Sequence, residues 1–267
     1  MLLPEREALF SQFIHEYETV RLAEQRRSED PAYYRSLPRR DLSGRMSADW
    51  RIRAASYSTL IRKIVRPLSR LLQRPLNVLD LGAGNGWLSN HLASSGQRLS
   101  AVDLVTNDFD GLGCYRFYET AFTPVQAEFD HLPFPDQAAD LVVFNASLHY
   151  SADFLHTLHE SRRVLAPAGR LVILDSPFYH DLASGKQMVR EREALFTHRY
   201  GFPSNALHSE NFMTYTRLQD LGKALHLHWR LITPYYGWRW LLRPLAARLR
   251  GQREPAKFHV IEGTRLL

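Results

Sequence analysis

The fold of this chain is decided by the stretch Leu79-Asp80-Leu81-Gly82-Ala83-Gly84-Asn85-Gly86-Trp87-Leu88. Residues 77–81 form a short, nearly continuous apolar run, which is typical of a strand buried in a parallel sheet. The alternate glycines that follow let the backbone turn sharply into a helix, and they let a ligand lie against the main chain. Open α/β sheets bind their ligands at this carboxyl edge of the strands. The stretch therefore predicts a strand, a ligand-binding turn and a helix.

Helices and strands alternate along the chain that follows this turn. The predicted helices are residues 86–95 and 153–165, and the predicted strands are residues 98–103, 140–145, 170–175, 228–234 and 257–263. Such alternation indicates a parallel sheet with helices on both faces. The expected fold class is therefore α/β, a Rossmann-like parallel sheet with a late antiparallel strand.

The segment before the first strand is predicted to be helical, because its apolar residues recur at helical spacing. We expect residues 1–75 to form an N-terminal helical lid and residues 76–267 to form the Rossmann-like domain. Within that domain, an insert at about 176–227 should cover the binding site. A basic helical stretch rich in Trp and Arg is expected at about 236–253.

Composition excludes several classes of protein. The chain has 267 residues, of which 45% are hydrophobic and 23% charged, an ordinary globular balance. Cys114 is the only cysteine, which excludes an intrachain disulfide and a Cys-rich metal site. The histidines are scattered without a nearby carboxylate cluster, so no metal is expected. No apolar run approaches the ~20 residues that span a bilayer, and the acidic start does not resemble a secretory signal. We therefore expect a cytoplasmic location.

The formal charge of +6 is concentrated near the C-terminus. Residues 239–257 contain six basic side chains and one acid, Glu254. Five apolar side chains of residues 236–250 fall on one helical face: Trp238, Leu241, Leu242, Leu245 and Leu249. This helix is interpreted either as a peripheral membrane contact that reaches a lipophilic ligand, or as a helix packed on the sheet with solvated arginines. No DNA is expected, and the absence of a recognised RNA-binding module disfavours RNA.

The glycine spacing separates two classes of ligand. Dinucleotide-binding turns have the pattern G-x-G-x-x-G, whereas here the third glycine is Gly86 and the bulky Trp87 follows it. Asp80, two residues before Gly82, suits a cationic amino group better than a pyrophosphate, although it could also cap the turn. The pattern therefore argues against a nucleotide-dependent oxidoreductase.

Taken in order, these motifs resemble the class I S-adenosylmethionine-dependent methyltransferases, in particular their small-molecule, methyltransferase type 11-like branch. The resemblance covers roughly residues 76–179. It rests on the glycine loop, on Asp103 closing the second strand, on the acidic stretch 127–136 before the next strand, and on the turn 165–171. It implies S-adenosylmethionine as cofactor and a small molecule as methyl acceptor.

The resemblance also implies which residues bind the cofactor. The glycine loop would contact its methionine part, and Asp103, about 20 residues further on, its ribose hydroxyls. Glu128 would face the adenine amino group beside Phe129, although Asp130 takes that position if the loop shifts register. The full expected set is Asp80, Gly82, Ala83, Gly84, Gly86, Asp103, Leu104, Glu128, Phe129, Asn145 and Ala146.

Candidates for chemistry follow from position near the strand ends. Methyl transfer from a sulfonium depends mainly on positioning, and a general base helps only if the acceptor must lose a proton. His149 is the candidate base, because its ordinary pKa suits proton transfer near neutral pH. The alternative is that it packs without transferring a proton. Arg53 or Tyr57 could reach the cofactor carboxylate. The candidates for the acceptor pocket are Tyr57, Tyr150, Tyr179 and His180.

The insert is rich in aromatic residues, which suits an apolar or aromatic acceptor. From the last residue of the predicted strand 140–145 the chain reads Asn145-Ala146-Ser147-Leu148. It therefore lacks the Asn-Pro-Pro-Tyr motif of relatives that methylate DNA adenine or protein glutamine. Two alternatives stay open: a non-catalytic member of the fold that binds the cofactor, and a methyltransferase that acts on RNA.

Overall fold

The computed structural model describes residues 4–266. Residues 1–3 and 267, which belong to the predicted lid and the predicted main domain, lie outside this range. The helices are α1 (Pro4–Ala23), α2 (Pro31–Ser36), α3 (Ser47–Leu60), α4 (Arg66–Leu72), α5 (Trp87–Ser94), α6 (Phe154–Val164), α7 (Leu182–Tyr200), α8 (Tyr215–Leu225), α9 (Trp238–Leu241) and α10 (Arg243–Leu249).

The strands are β1 (Asn77–Leu81), β2 (Arg98–Asp103), β3 (Thr123–Gln126), β4 (Ala139–Asn145), β5 (Leu165–Leu174), β6 (Phe178–Tyr179), β7 (Met213–Thr214), β8 (Leu227–Ile232) and β9 (Val260–Arg265). Among the described residues, seven of them form one sheet in the order β3-β2-β1-β4-β5-β9-β8. The first five strands run parallel, whereas β9 is antiparallel to both of its neighbours. The predicted fold class is confirmed, including the late antiparallel strand.

Helices bury both faces of this sheet. On one face, Val78 and Leu141 share a buried cluster with Trp50 of α3 and Leu88 of α5. The N-terminal helices are thus packed on the sheet through a common core. The buried Cys114 belongs to the same cluster. On the other face, residues of α6 and α8 pack against the opposite side chains of the strands.

Side chains set the beginnings of several helices. Asp153 accepts a hydrogen bond from the amide of Leu155 before α6, and Thr214 accepts one from Arg217 before α8. These side chains satisfy amides that have no partner inside the helix. The helix starts predicted at residues 86 and 153 are correct to within one residue, whereas α8 was not predicted as a separate helix.

One strand of the sheet has no counterpart in the sequence-based prediction. β3 is four residues long, lies at the sheet edge, and contains Pro124. A proline is tolerated only where no ladder bond is needed, so an edge strand can lack the usual apolar signal. The expected insert at 176–227 contains α7, α8 and the small β6–β7 pair.

Candidate cofactor and acceptor site

The glycine loop after β1 is held in a conformation that only glycine adopts easily. Gly82, Gly84 and Gly86 have φ of +76°, +53° and +78°. A Cβ added at Gly82 would lie 2.3 Å from the Cβ of Ser147, so the main chain here is closely approached. The amides of Gly82 and Ala83 both donate to the carbonyl of Val102, at 2.8 and 3.0 Å. The loop is therefore fixed against the end of β2.

Asp80 lies beneath this loop and is fully buried. Its Oδ2 accepts a hydrogen bond from Ser89 Oγ at 2.7 Å, whereas Oδ1 has no partner among the described residues. Burial raises the pKa of Asp80 to about 7. A buried carboxylate oxygen without a partner fits the predicted binding of a cationic amino group, although Asp80 itself does not line the cavity described below.

Asp103 ends β2 and faces the loop. Its Oδ2 accepts from the amide of Gly84 and its Oδ1 from the amide of Val105, both at 2.8 Å. Burial raises the pKa of Asp103 to about 6, and these two hydrogen bonds oppose that rise. Asp103 and Leu104 both line the cavity beside the loop. A carboxylate held in this way keeps lone pairs available for ligand hydroxyls.

The acids after β3 also face the cavity. Glu128 is buried and is bound by Arg6, whose Nε donates to Oε1 at 2.8 Å and whose Nη2 contacts Oε2. Asp130 lines the same cavity and accepts from Thr157 Oγ1 at 2.5 Å. Both acids thus line the cavity, and the choice between them for the adenine amino group stays open. Phe129, which lies between the two acids in the sequence, lines the cavity and packs edge-to-face on Phe144, with ring centres 5.4 Å apart.

The end of β4 forms the floor of the site. Asn145 and Ala146 line the cavity, and Asn145 Oδ1 is buried without a partner among the described residues. Ala146 has φ +53°, and its amide donates to the carbonyl of Leu174 at 2.9 Å, which ties the ends of β4 and β5 together. Tyr150 lines the cavity as expected.

These residues enclose one cavity of about 300 Å³, which α1 covers. Phe10, Phe13 and Tyr17 of α1 line it, and Arg21 of the same helix pairs with Asp110 at 3.0 Å. Sequence reasoning did not assign these side chains, although their spacing of three and four residues was the available signal. Gly86 lies outside the lining, where it directly precedes α5 and lies close to the ring of Phe122.

Arg53 of α3 lines the cavity and lies 4.8 Å above the ring of Trp50. Within residues 4–266 no carboxylate lies within ion-pair distance of it. Burial lowers the pKa of Arg53, and the neighbouring Arg26 lowers it further. Of the two residues predicted to reach the cofactor carboxylate, Arg53 is the one that lines the cavity.

The second of these residues, Tyr57, does not line the cavity. Its ring packs against Trp87 and His91 instead. Tyr179 is also turned away, because it is buried edge-to-face against Phe212, and His180 is exposed and stacked on Tyr215. Position near a strand end did not fix the direction of these side chains, so their expected place in the acceptor pocket is not what the structure shows.

His149 is placed beside the cavity but not in its lining. Its ring lies 4.4 Å from that of Tyr150, and its Nδ1 is buried without a partner in the described part of the chain. Burial, together with the charge of Arg192, lowers the pKa of His149 to about 3. A side chain with so low a pKa holds a proton poorly near neutral pH, which favours the packing interpretation over the general base.

A buried polar cluster at the end of β5 escaped the sequence analysis. Asp175 has φ +52°, and its Oδ1 accepts from Ser56 Oγ at 2.5 Å. Ser56 Oγ also lies 2.9 Å from the hydroxyl of Tyr236. Asp175 Oδ2 and Ser176 Oγ are buried without partners among the described residues. Orphaned polar atoms of this kind are uncommon in native proteins, although neither Asp175 nor Ser176 lines the cavity.

Strand order, glycine loop and acids together define an α/β protein of the class I methyltransferase type. A family model described as a methyltransferase domain matches residues 79–173. Residues 79–173 therefore match a methyltransferase domain, and the resemblance seen in the sequence is confirmed. The glycine cradle, together with the oxygens of Asp80 and Asn145 that lack a partner within residues 4–266, fits S-adenosylmethionine.

Two curated proteins illustrate the relationship. The chain is 33% identical to the malonyl-(acyl-carrier protein) O-methyltransferase of Yersinia pestis over 92 residues, which is 34% of this chain and 33% of that protein. It is 33% identical to the demethylmenaquinone methyltransferase of Thermus thermophilus over 153 residues, which is 52% of this chain and 62% of that protein. The matched segments span less than two thirds of either relative.

A solved structure extends the likeness to the whole chain. The 1,6-didemethyltoxoflavin-N1-methyltransferase of Burkholderia thailandensis, solved with 1,6-didemethyltoxoflavin and S-adenosylhomocysteine bound, superposes with a TM-score of 0.52 and 18% identity. The match covers 100% of this chain and 92% of that chain. At this identity the likeness concerns the fold.

Proposed function

We propose that this protein is an S-adenosylmethionine-dependent methyltransferase that acts on a small apolar or aromatic acceptor. The observation that carries the proposal is the meeting of the glycine loop, Asp103 and Glu128 around one cavity. The glycine main chain would bind the methionine part, Asp103 the ribose, and Glu128 or Asp130 the adenine. Arg53 would pair with the cofactor carboxylate.

The cofactor, when bound, supplies a methyl group on a sulfonium, which is an excellent leaving group. The contribution of the chain is to hold the reactants in line and to exclude water. Phe10, Phe13 and Tyr17 of α1 close the cavity with aromatic rings. His149 is not assigned a proton-transfer role, because the pKa of its buried ring is too low.

The acceptor is proposed to bind at the ends of β4 and β5. Neighbouring strands lie about 4.8 Å apart, and the cofactor residues follow the edge from β2 through β1 to β4. The end of β5 comes next, where Asp175 Oδ2 and Ser176 Oγ have no partner in residues 4–266. These atoms favour an acceptor that donates a hydrogen bond, such as a hydroxyl or an amine. The curated relatives are named for malonyl-(acyl-carrier protein) and demethylmenaquinone.

Calorimetry with S-adenosylmethionine, S-adenosylhomocysteine and NAD tests the cofactor assignment. We expect micromolar binding of the first two ligands to the wild type, loss of binding in Asp103→Ala, and no binding of NAD. A folded wild-type protein that binds neither sulfur ligand would contradict the proposal.

Two other functions are separated by methyl transfer itself. A non-catalytic member would bind S-adenosylmethionine but transfer no radiolabelled methyl group to any of a panel of phenols, amines and carboxylates. An enzyme that acts on RNA would label total RNA and leave the panel unlabelled. Labelling of a phenol or an amine that is weakened in Asp175→Asn supports the acceptor site described above.

A further inference from the structure

Helices α9 and α10 leave an apolar stripe uncovered. The C-terminal stripe consists of Trp238, Leu241, Leu242, Leu245 and Leu249, and all five side chains are exposed, Trp238 at 62% and Leu249 at 80%. Their spacing of three and four residues places them on one face of an almost continuous helix. Large exposed apolar patches are rare on the surfaces of soluble proteins and usually mark an interaction site, which indicates that the stripe binds a partner.

The opposite face of these helices attaches them to the rest of the molecule. The ring of Trp240 lies 5.1 Å from that of Tyr236 and 5.7 Å from that of Phe258. Arg243 covers the same ring, at 3.9 Å from its centre. Because Trp240 is turned inward, the C-terminal stripe points away from the protein.

Basic side chains border the stripe. Arg239 and Arg248 fall on its two sides in a helical projection, and Arg250 follows at the end of α10. In residues 4–266 none of these three arginines has a carboxylate within 4.0 Å. By contrast, Arg253 pairs with Glu191 at 2.7 Å. The arginines around the stripe therefore have no anionic partner within the described protein.

We propose that the C-terminal stripe docks on the surface of an anionic lipid bilayer. Tryptophan and leucine side chains enter the boundary between headgroups and acyl chains, while flanking arginines reach the lipid phosphates. An RNA partner would use the arginines but would leave the leucines in water. Within the described residues no helix is long and apolar enough to cross a membrane, and a helix that lies flat on the surface does not need to.

The docking surface is connected to the acceptor end of the site. The hydroxyl of Tyr236, two residues before α9, contacts Ser56 Oγ, which in turn donates to Asp175. Docking would hold the end of β5 near the bilayer, where a lipophilic acceptor dissolves. This link to the acceptor rests on the proposed function, whereas docking itself does not.

Vesicle flotation without any cofactor tests the docking. We expect the wild type to float with phosphatidylcholine vesicles that contain phosphatidylglycerol, and to float less with pure phosphatidylcholine. The triple variant Leu241→Ser, Leu245→Ser, Leu249→Ser should bind the anionic vesicles at least about tenfold more weakly than the wild type, because it loses the apolar insertion. The matched control replaces three exposed leucines elsewhere, Leu22→Ser, Leu71→Ser and Leu155→Ser, and should float like the wild type.

Three outcomes would contradict docking on the bilayer. A wild type that does not float, or a triple variant that floats equally well, overturns the proposal. So does a wild-type dimer in light scattering that the triple variant converts to a monomer, since a second copy would then cover the stripe. If the triple variant unfolds, quenching of tryptophan fluorescence by brominated lipids replaces it. The quenching should be present in the wild type and reduced in Trp238→Phe, and equal quenching contradicts docking.

Discussion

At Gly82 the backbone conformation and the packing both exclude a side chain. We expect Gly82→Ala to lower the affinity for S-adenosylhomocysteine more than about tenfold and to destabilise the fold by about 1–3 kcal/mol. The physical reason is a φ of +76° combined with a Cβ placed 2.3 Å from that of Ser147. Calorimetry and thermal unfolding measure the two effects.

Gly96 provides a matched control for this substitution. It also has a positive φ, +88°, but a Cβ added there would meet nothing within 4 Å. Gly96→Ala should therefore lose about 1–2 kcal/mol of stability from the backbone alone and bind S-adenosylhomocysteine normally. If Gly82→Ala and Gly96→Ala bind S-adenosylhomocysteine equally well, Gly82 does not contribute to ligand binding.

The carboxyl of Asp103 predicts how binding depends on pH. Because burial raises its pKa to about 6, the carboxylate that accepts the ribose hydroxyls is present above that pH and is lost as the pH falls through it. The affinity for S-adenosylhomocysteine should therefore fall between about pH 7 and pH 5. Calorimetry should show a weaker pH dependence for Asp103→Asn, in which the buried Asp80 still titrates. An unchanged profile in the variant would assign the titration to another group.

Side-chain direction limits what the sequence reveals about single residues. Asp103 and Asn145 end strands whose carboxyl ends lie at the binding edge, and both line the cavity. Glu128, which the resemblance assigned, lines it as well. Tyr179 follows a strand too, but packing against Phe212 turns it away. Whether a residue near the edge faces the ligand or the core is decided by distant contacts.

Among the elements, α1 has the most direct influence on the cavity. Arg6 of this helix occupies Glu128, the acid proposed for the adenine. We expect Arg6→Ala to raise the affinity for S-adenosylhomocysteine up to a few-fold, because a partly exposed ion pair that competes for Glu128 contributes only about 0–1 kcal/mol. Stopped-flow fluorescence would report the increase as faster association.

Glu7→Ala is the control for this change, since Glu7 is exposed on the same helix. It should leave association unchanged. A weaker affinity in Arg6→Ala alone would make Arg6 a part of the binding site in place of a competitor.

Elements also differ in how visible they are in the sequence. The glycine loop is specified locally, because positive φ and a close approach leave no other residue type possible. The position of α1 over the cavity depends on Phe10, Phe13 and Tyr17 meeting strand ends more than sixty residues away. Such contacts leave no local pattern beyond helical spacing, so the lid could be predicted as helical but its contacts could not.

For the whole molecule, the buried Asp80 is a source of instability at high pH. Its pKa in the folded protein is raised to about 7, so its contribution to stability is present at low pH and is lost as the pH rises through that value. Asp80→Asn should match the wild type near about pH 4 and exceed it by up to a few kcal/mol near about pH 8. Thermal unfolding of the ligand-free protein measures the difference.

Bound S-adenosylmethionine should make the wild type more stable than Asp80→Asn near neutral pH, because the amino group of the ligand would compensate the buried charge of Asp80. The ligand-induced rise in Tm should accordingly be larger for the wild type than for Asp80→Asn. Equal rises would leave Asp80 as a cap of the glycine turn, which was the alternative interpretation of the sequence.

The single thiol of the described chain has a practical consequence for site-specific labelling. Cys114 is fully buried, and burial raises its pKa to about 12, so it exists as a weakly reactive thiol. A cysteine introduced at the exposed Ser11 of α1 would therefore take up a maleimide dye selectively, without prior removal of the native one. The natural protein is therefore suited to fluorescence experiments with a single dye on the helix that covers the cavity.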